Sequence, residues 1–173
     1  MLKKTLEDAL NKQINHEFHA AYNYLAMSAY LDGRNLPGFA AWMYNQYKEE
    51  LVHAMKIYAY IHDRAGKVVL DSIARPDSDY NNIVAVFEKS LKMEEDNTAA
   101  INSLYKLAVD SNDYPTQSLL QWFVDEQVEE EKSVGDALEM VKMAGDNPSA
   151  LLMLNEKLSQ RGSGIEADTG VKG

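Results

Sequence analysis

The positions of glycine and proline constrain this chain most, because they leave four long segments unbroken. The 9 Gly and 4 Pro among 173 residues fall mainly at segment ends, as at Gly33, Pro37, Gly66 and Gly145. Each segment holds roughly 28 residues, against a usual mean of about 11–12 for a helix. Helices of this length joined by short turns predict an all-α bundle. The predicted helices cover residues 5–33, 37–66, 80–109 and 115–144.

The link between the second and third segments is long enough to cross the bundle. A helix of about 28 residues is about 42 Å long, and a link over residues 66–79 reaches about 46 Å when extended. We therefore expect two antiparallel hairpins joined by one long crossover, with a small β-like patch at Val68-Val69-Leu70. Asn147-Pro148 predicts the cap and first turn of a short fifth helix that ends near Gln160. One domain is expected over residues 1–160, followed by a flexible tail over 161–173.

The charge balance limits the partners that the chain can bind. Lys and Arg number 17 against 27 Asp and Glu, which gives a net charge of −10. This acid excess argues against nucleic acid or an anionic membrane as the main partner, since both need a clustered cationic face. There is no apolar run of about 20 residues that would span a bilayer. No apolar core of a secretory signal follows Lys3 and Lys4, so we expect a cytoplasmic protein.

The chain contains no cysteine. Disulfides, thiolate metal sites and cysteine nucleophiles are therefore excluded together. Any metal that this protein binds must be held by oxygen and histidine ligands.

Each predicted helix carries an apolar stripe at 3–4 spacing that is interrupted near its middle by a carboxylate. The four interrupting residues are Glu17, Glu50, Glu94 and Glu130. Each lies within about two residues of its helix midpoint, which is roughly 3 Å along the axis. Helices packed side by side therefore bring the four carboxylates to one level.

Four carboxylates removed from water at one level repel one another, and each costs several kcal/mol of desolvation if it stays charged. Two divalent cations would balance the four negative charges. His53 follows Glu50 by three residues, so both side chains share one helix face. A Glu-x-x-His pair at this spacing can bind one metal. Five residues from four helices thus predict a dinuclear metal site between the helices.

Other interpretations of these residues remain open. A single Glu in such a stripe usually fixes the register between helices, or it shows that the inward face has been assigned wrongly. Tyr24 lies two helical turns from Glu17 and is either a core tyrosine, a hydrogen-bond partner of a ligand or an electron donor. Trp122 is read as packing. His16, His19 and His62 fall off the stripe and are expected at the surface, with a weak zinc site at His16 and His19 left open.

An acidic run lies on the fourth segment at Glu126, Glu129, Glu130 and Glu131. Such a run is ordinarily a solvated face. Glu126 and Glu130 are, however, four residues apart and share a helix face. Part of the run could therefore continue inward beside Glu49 as a further cation site.

These residues resemble the ferritin family, and the resemblance runs from Met1 to about Gln160. The motifs are Asn15-His16-Glu17 with Tyr24, then Glu49 to Ala54, then Glu94, and last Trp122 with Asp125 to Glu131. The last motif, with the turn Asp113-Tyr114-Pro115-Thr116, is most similar to the non-haem ferritins of bacteria. The resemblance implies a ferritin-like four-helix bundle. Inward Glu-x-x-His motifs are a known feature of ferritin-like bundles.

The resemblance also implies a ligand set. Glu17, Glu50 and His53 would hold a first iron. Glu50 would bridge to a second iron held with Glu94 and Glu130. Gln127 would orient a water or dioxygen species at that second iron. A third iron site is implied at four positions, namely Glu49, Glu126, Glu129 and Glu130.

Three departures from relatives matter. Symmetric di-iron enzymes and bacterioferritins carry a second Glu-x-x-His on the last long helix, where this chain has Gln127 and Glu130. The position where bacterioferritins place a haem-ligating Met is Leu51 here, which argues against haem. Positions that are acidic in the threefold channels of animal ferritins read Gln117 and Leu120, so the route of iron into the particle stays open.

The function implied is an iron-storage ferroxidase that oxidises Fe²⁺ with O₂ and keeps ferric mineral inside a shell of twenty-four subunits. Two alternatives belong to other classes. One is a di-iron oxygenase or peroxidase acting on an organic substrate, which the missing second Glu-x-x-His disfavours. The other is a structural shell subunit that only nucleates mineral, which the presence of all the stripe carboxylates disfavours.

Overall fold

Residues 2–160 are described in a computed structural model, and they form five α-helices with no strand. The helices are α1 (Lys4–Asp32), α2 (Pro37–Asp63), α3 (Ile83–Asp110), α4 (Tyr114–Ala144) and α5 (Pro148–Ser159). The predicted four long helices and short fifth helix are confirmed. The tail predicted over 161–173 lies outside the described residues.

Side-chain caps explain where several helices begin. The side chains of Asp113 and Asn147 accept hydrogen bonds from backbone amides of the first turns of α4 and α5. The third helix begins at Ile83 and not at Tyr80 as predicted, because the side chain of Asn82 caps it by accepting from the amide of Ala85 at 2.8 Å. The second helix ends at Asp63, three residues before the predicted Gly66.

The link over residues 64–82 runs the length of the bundle along α1. Near its start, the amide of Val69 donates to Oδ1 of Asn11 at 2.7 Å, and Nδ2 of Asn11 donates to the carbonyl of Lys67 at 2.9 Å. Near its end, the hydroxyl of Tyr30 donates to the carbonyl of Tyr80 at 2.6 Å. Asn11 and Tyr30 are about 28 Å apart along a helix, so the predicted crossover is confirmed. The β-like patch at Val68-Val69-Leu70 is not a strand; it is extended chain hydrogen-bonded to α1.

The interior consists of two apolar clusters separated by a polar layer. The upper cluster includes Tyr24, Phe39 and Phe87. The lower cluster includes Ile14, Ile57 and Phe123. The helix midpoints lie between them, so the stripes are apolar at their ends and polar at the centre, as the sequence predicts.

The fifth helix packs against α2 and α4. Its Asn155 supplies a cap to the neighbouring helix α2, because Oδ1 of Asn155 accepts hydrogen bonds from the amides of Gly38 at 2.8 Å and Phe39 at 3.2 Å. Leu154 and Leu158 anchor α5 in the upper cluster. Within residues 2–160, none of the helices has an apolar stretch of the length needed to cross a membrane.

Candidate metal centre

The four stripe carboxylates are buried together in the polar layer. Their residues retain little exposure: 0% for Glu17, 1% for Glu50, 1% for Glu94 and 8% for Glu130. Each lies within about three residues of its helix midpoint, a displacement of roughly 4 Å. The predicted convergence at one level is therefore found.

Three of the predicted ligands form a compact group. Glu17, Glu50 and His53 each offer one ligand atom, and these atoms lie within 4.8 Å of one another. Nδ1 of His53 is 3.4 Å from Oε2 of Glu50. Both atoms are buried without a hydrogen-bond partner. Buried polar atoms are rarely left unpaired, so a donor set of this kind, with carboxylate and imidazole atoms facing one another, suits a cation.

Burial governs the electrostatics of the layer. Burial and the neighbouring charge of Glu50 raise the pKa of Glu17 well above its usual value. The pKa of Glu50 is raised by burial and then by the charge of Glu94. Burial, followed by the charges of Glu94 and Glu49, raises the pKa of Glu130 to about 8. Without a cation these carboxyl groups favour the protonated form, whereas a bound cation would favour the ionised form.

Glu94 is held by hydrogen bonds from neighbouring helices. The hydroxyl of Tyr24 on α1 donates to Oε1 of Glu94, and Oγ of Ser90 donates to the Tyr24 oxygen at 2.9 Å. Burial raises the pKa of Glu94, while the bonds from Tyr24 and Gln127 oppose that rise. Among the possible roles of Tyr24, the structure therefore supports that of a hydrogen-bond partner, here of the predicted ligand Glu94.

A second group of possible ligands shares His53 with the first. Atoms of His53, Glu126 and Glu130 also lie within 4.8 Å of one another. Glu94 belongs to neither compact group in the described part of the chain. The structure thus gathers the residues assigned to the first iron, while those assigned to the second, Glu50, Glu94 and Glu130, share the layer without forming such a group.

The further acidic positions differ in exposure. Glu126 and Glu49 are half-buried, whereas Glu129 is exposed. Nε2 of Gln46 donates to Oε2 of Glu49 at 2.8 Å and to Oε2 of Glu130 at 3.0 Å. Gln46 therefore ties one of the outer carboxylates to the buried layer. Gln46 was not among the predicted site residues; the available signal was a polar side chain four residues before Glu50, on the same helix face.

Gln127 is buried at the boundary between the layer and the surface. Its Nε2 faces Oε2 of Glu94 at 3.4 Å. It also lines a surface groove between α3 and α4, with a volume of about 520 Å³. Two more buried carboxamides, Gln13 and Asn97, hydrogen-bond to Glu17. Neither was among the predicted site residues, although Asn97 follows Glu94 by three residues and Gln13 precedes Glu17 by four, so each shares a helix face with a predicted ligand.

Aromatic rings close one side of the site. The rings of Trp122 and Phe123 meet the His53 ring edge-on, with centroids 5.5 and 5.8 Å away. This agrees with the reading of Trp122 as packing, and Nζ of Lys56 covers its outer face at 4.2 Å. His62 is exposed as expected.

His16 and His19 are half-buried rather than on the surface. Both lie on α1, and burial lowers the pKa of His16. Neither belongs to a group of three possible metal ligands within residues 2–160.

Known proteins match this chain over nearly all of its length. The family model for the ferritin-like domain matches residues 7–144. The bacterial non-heme ferritin of Staphylococcus saprophyticus is 41% identical over 161 residues, covering 93% of this chain and 96% of that protein. The bacterial non-heme ferritin of Staphylococcus epidermidis is 41% identical over 161 residues, with 93% and 97% covered.

Solved structures agree with the sequence comparison. An open pore ferritin from the hyperthermophilic archaeon Archaeoglobus fulgidus superposes with a TM-score of 0.92 at 40% identity, covering 94% of this chain and all of that one. The family match thus covers the four long helices. These helices form the bundle with its crossover and its buried carboxylate layer. The chain belongs to the ferritin family, among relatives named bacterial non-heme ferritins.

Proposed function

We propose that this protein is an iron-storage ferroxidase. It binds Fe²⁺ in the buried layer, passes electrons from the iron to O₂, and delivers ferric iron to a mineral held inside a homo-oligomeric shell of twenty-four subunits. The observation that carries this proposal is the buried convergence of Glu17, Glu50, Glu94 and Glu130 with His53. Family membership supports the storage role. We propose residues 1–160 as the domain with this function and the cytoplasm as its location.

The ligands divide into two sets of different chemistry. Glu17, Glu50 and His53 hold the first iron, and Glu50 bridges to the second. The second iron takes Glu94 and Glu130, so its protein ligands are all oxygen. Oxygen ligands favour Fe³⁺, while the second iron lacks a nitrogen anchor and is held more loosely. Such asymmetry suits a site that releases its oxidised product.

The more exposed carboxylates beside the buried layer offer a route by which iron could leave the site. Glu126 lies with His53 and Glu130 within 4.8 Å, and Gln46 joins Glu49 to Glu130. We propose a third iron position formed by Glu49, Glu126, Glu129 and Glu130. It takes iron leaving the pair toward the surface, since exposure increases from Glu130 to Glu129.

The remaining polar groups would orient the oxygen species and the ligand Glu94, and would supply protons to reduced oxygen. Gln127 directs its amide toward Glu94 and would orient the water or dioxygen species at the second iron. The hydroxyl of Tyr24 donates to Glu94, and through this contact with a ligand of the second iron Tyr24 would be able to supply an electron. Carboxyl protons displaced when Fe²⁺ binds are available to reduced oxygen, which needs one proton for each electron it receives. Leu51 occupies the position of a haem-ligating Met, so the proposal involves iron without haem.

The proposal is tested by adding Fe²⁺ to metal-free protein in air while following ferric absorbance and particle size. Rapid oxidation, with hundreds of irons kept in solution per particle, is expected. A small particle that oxidises an organic substrate would indicate the di-iron oxygenase instead.

The site assignment is tested with a matched pair of variants on α3. Glu94→Ala should slow the rapid phase by at least about tenfold, a loss of roughly 1.4 kcal/mol of transition-state stabilisation, and should leave assembly intact. Glu95→Ala removes the neighbouring carboxylate, which is exposed, and should oxidise iron at the parental rate. Parental oxidation by Glu94→Ala would refute the assignment.

A further inference from the structure

Three buried carboxamides connect Glu17 with Glu94 inside the carboxylate layer. Gln13 on α1, Asn97 on α3 and Gln127 on α4 are exposed by 4%, 1% and 2%. A buried amide costs free energy unless its donors and acceptors are paired. These three pair with one another and with the proposed iron ligands Glu17 and Glu94, and Nε2 of Gln127 also faces Oγ1 of Thr98 at 3.3 Å.

Gln13 and Asn97 enclose the carboxylate of Glu17. Nε2 of Gln13 donates to Oε1 of Glu17 at 2.8 Å, and Nδ2 of Asn97 donates to Oε2 at 3.2 Å. Each carboxylate oxygen therefore receives one amide donor. Both oxygens act as acceptors here, so the nitrogen ends of both amides face the carboxyl group of Glu17.

The same two amides determine how Gln127 is turned. Nε2 of Gln13 also donates to Oδ1 of Asn97 at 2.7 Å, and Nδ2 of Asn97 donates to Oε1 of Gln127 at 3.3 Å. Because the Gln127 oxygen accepts from Asn97, its nitrogen points the other way. It lies 3.3 Å from the backbone carbonyl of Glu94 and 3.4 Å from Oε2 of Glu94.

The chain of amides therefore has one polarity, running from Gln13 through Asn97 to Gln127. Reversing any member would place two oxygens or two NH₂ groups face to face. Hydrogen bonds in such a network strengthen one another in a low-dielectric interior. Because both oxygens of Glu17 accept from amide NH₂ groups at one end, the donor orientation of Gln127 is favoured at the other end.

We propose that Gln13 and Asn97 are positioning residues for the ferroxidase centre, which makes this inference dependent on the proposed function. They hold Glu17 in the orientation that the first iron needs, and through Gln127 they present an amide donor beside Glu94 at the second iron. Iron bound at the first position is thereby coupled to the geometry of the second. Gln127 also borders the groove between α3 and α4. The orientation of its side-chain amide determines whether its NH₂ group or its oxygen faces Glu94.

The first test replaces Asn97 with leucine, whose side chain has the same branched skeleton but no hydrogen-bonding groups. Anaerobic Fe²⁺ titration of this variant should show weakening of the second iron by about tenfold, equivalent to about 1.4 kcal/mol, with a smaller loss at the first. Unchanged affinity at both positions would overturn the proposal. Binding measured without oxygen separates this outcome from the proposed function, which is judged on the parent protein's oxidation and storage.

A double-mutant cycle distinguishes positioning from general destabilisation. If Asn97 acts through Gln127, then Asn97→Leu combined with Gln127→Leu should weaken the second iron no more than Gln127→Leu alone. Additive losses would contradict the relay. The matched control is Thr116→Val, which removes a buried hydrogen bond at the far end of the bundle. It should lower the unfolding temperature but leave both Fe²⁺ affinities at parental values.

The variant Asn97→Asp tests the polarity itself and preserves the shape of the side chain. A carboxylate at this position accepts only, so it cannot donate to Glu17, and Gln127 would have to turn its NH₂ away from Glu94. We expect second-iron affinity and the rapid oxidation rate to fall at least as far as in Asn97→Leu. Parental affinity and rate in Asn97→Asp would overturn the assigned polarity.

Discussion

The hydroxyl of Tyr24 donates a hydrogen bond to Oε1 of Glu94, joining α1 to α3 inside the carboxylate layer. Both residues are buried, with 0% and 1% exposure. Ser90 donates to the same hydroxyl oxygen at 2.9 Å. Glu94 is therefore oriented by a phenol before any cation arrives, which distinguishes it from Glu50 and its unpaired Oε2.

Replacing Tyr24 with phenylalanine should weaken the second iron and slow its oxidation. A hydrogen bond to a charged group contributes about 1.5–3 kcal/mol, so anaerobic Fe²⁺ affinity at that position should fall by at least roughly tenfold. The control is Tyr30→Phe, which loses a hydrogen bond to the carbonyl of Tyr80 at the end of the bundle. Equal affinities in parent and Tyr24→Phe would show that the bond does not position Glu94.

The imidazole of His53 should matter most for the first iron. Its unpaired Nδ1 lies 3.4 Å from Oε2 of Glu50, beside Glu17. Loss of an outer-shell partner typically costs 10–100-fold in metal affinity, so His53→Ala should weaken the first iron by roughly 100-fold or more and the second by less. Iron occupancies in a crystal soaked anaerobically would report the two positions separately.

The comparison for His53 is His62→Ala, which removes an exposed imidazole from the same helix. Its occupancies should equal those of the parent. Loss of the second iron before the first in His53→Ala would assign the imidazole to the group with Glu126 and Glu130 instead.

The fold and the level of the carboxylates were predictable from the sequence because both follow from one-dimensional spacing. Helical periodicity places Glu17, Glu50, Glu94 and Glu130 on inward faces, and the rise per residue sets their depth. The start of α3 was less predictable. Tyr80 continues an apolar pattern, yet Asn82 offers a local cap that competes successfully with it.

The partners of the carboxylates were not predictable, since they depend on how side chains meet across helices. Glu94 lies at the expected depth but is turned toward Tyr24, and no spacing rule gives that direction. Gln13 is four residues before Glu17 and bonds to it, but the apolar spacing of α1 does not single it out. A polar residue one turn from a predicted ligand is the signal that would have found it.

Docking of α5 should depend on the absence of a side chain at Gly38. A Cβ atom there would lie 1.7 Å from the carbonyl oxygen of Asn155. Gly38→Ala must therefore push α5 away and break the cap that Asn155 provides, at a cost of about 1–3 kcal/mol or more. Thermal unfolding should shift downward, and limited proteolysis should cut α5 faster.

Gly135→Ala is the matched control, because a Cβ at that position on α4 meets nothing within 4 Å. This substitution should stabilise the helix by about 0.5–1 kcal/mol. A Gly38→Ala variant as stable and protease-resistant as Gly135→Ala would show that α5 adjusts without loss.

The metal-free protein should lose stability as pH rises toward 8. A carboxyl group whose pKa is raised by folding binds its proton more tightly in the folded state. Its stabilising contribution is complete below its ordinary pKa and disappears as pH rises through the folded value. For Glu130 that interval runs from 4.5 to about 8, and burial raises the pKa of Glu17 and Glu50 in the same direction.

A divalent cation should reverse this dependence, because it favours the ionised carboxylates. Between about pH 5 and pH 8 the unfolding temperature should fall for the metal-free protein and stay level or rise with Mn²⁺ present. The corresponding difference in the free energy of unfolding should be several kcal/mol, which is the cost of burying unpaired charge. Metal addition should also release protons, which an indicator dye in weak buffer detects. Glu130→Gln should flatten the metal-free profile, since it removes one titrating group. A metal-free profile that rises with pH would mean that the layer is stable when ionised, and that its carboxylates need no cation to coexist.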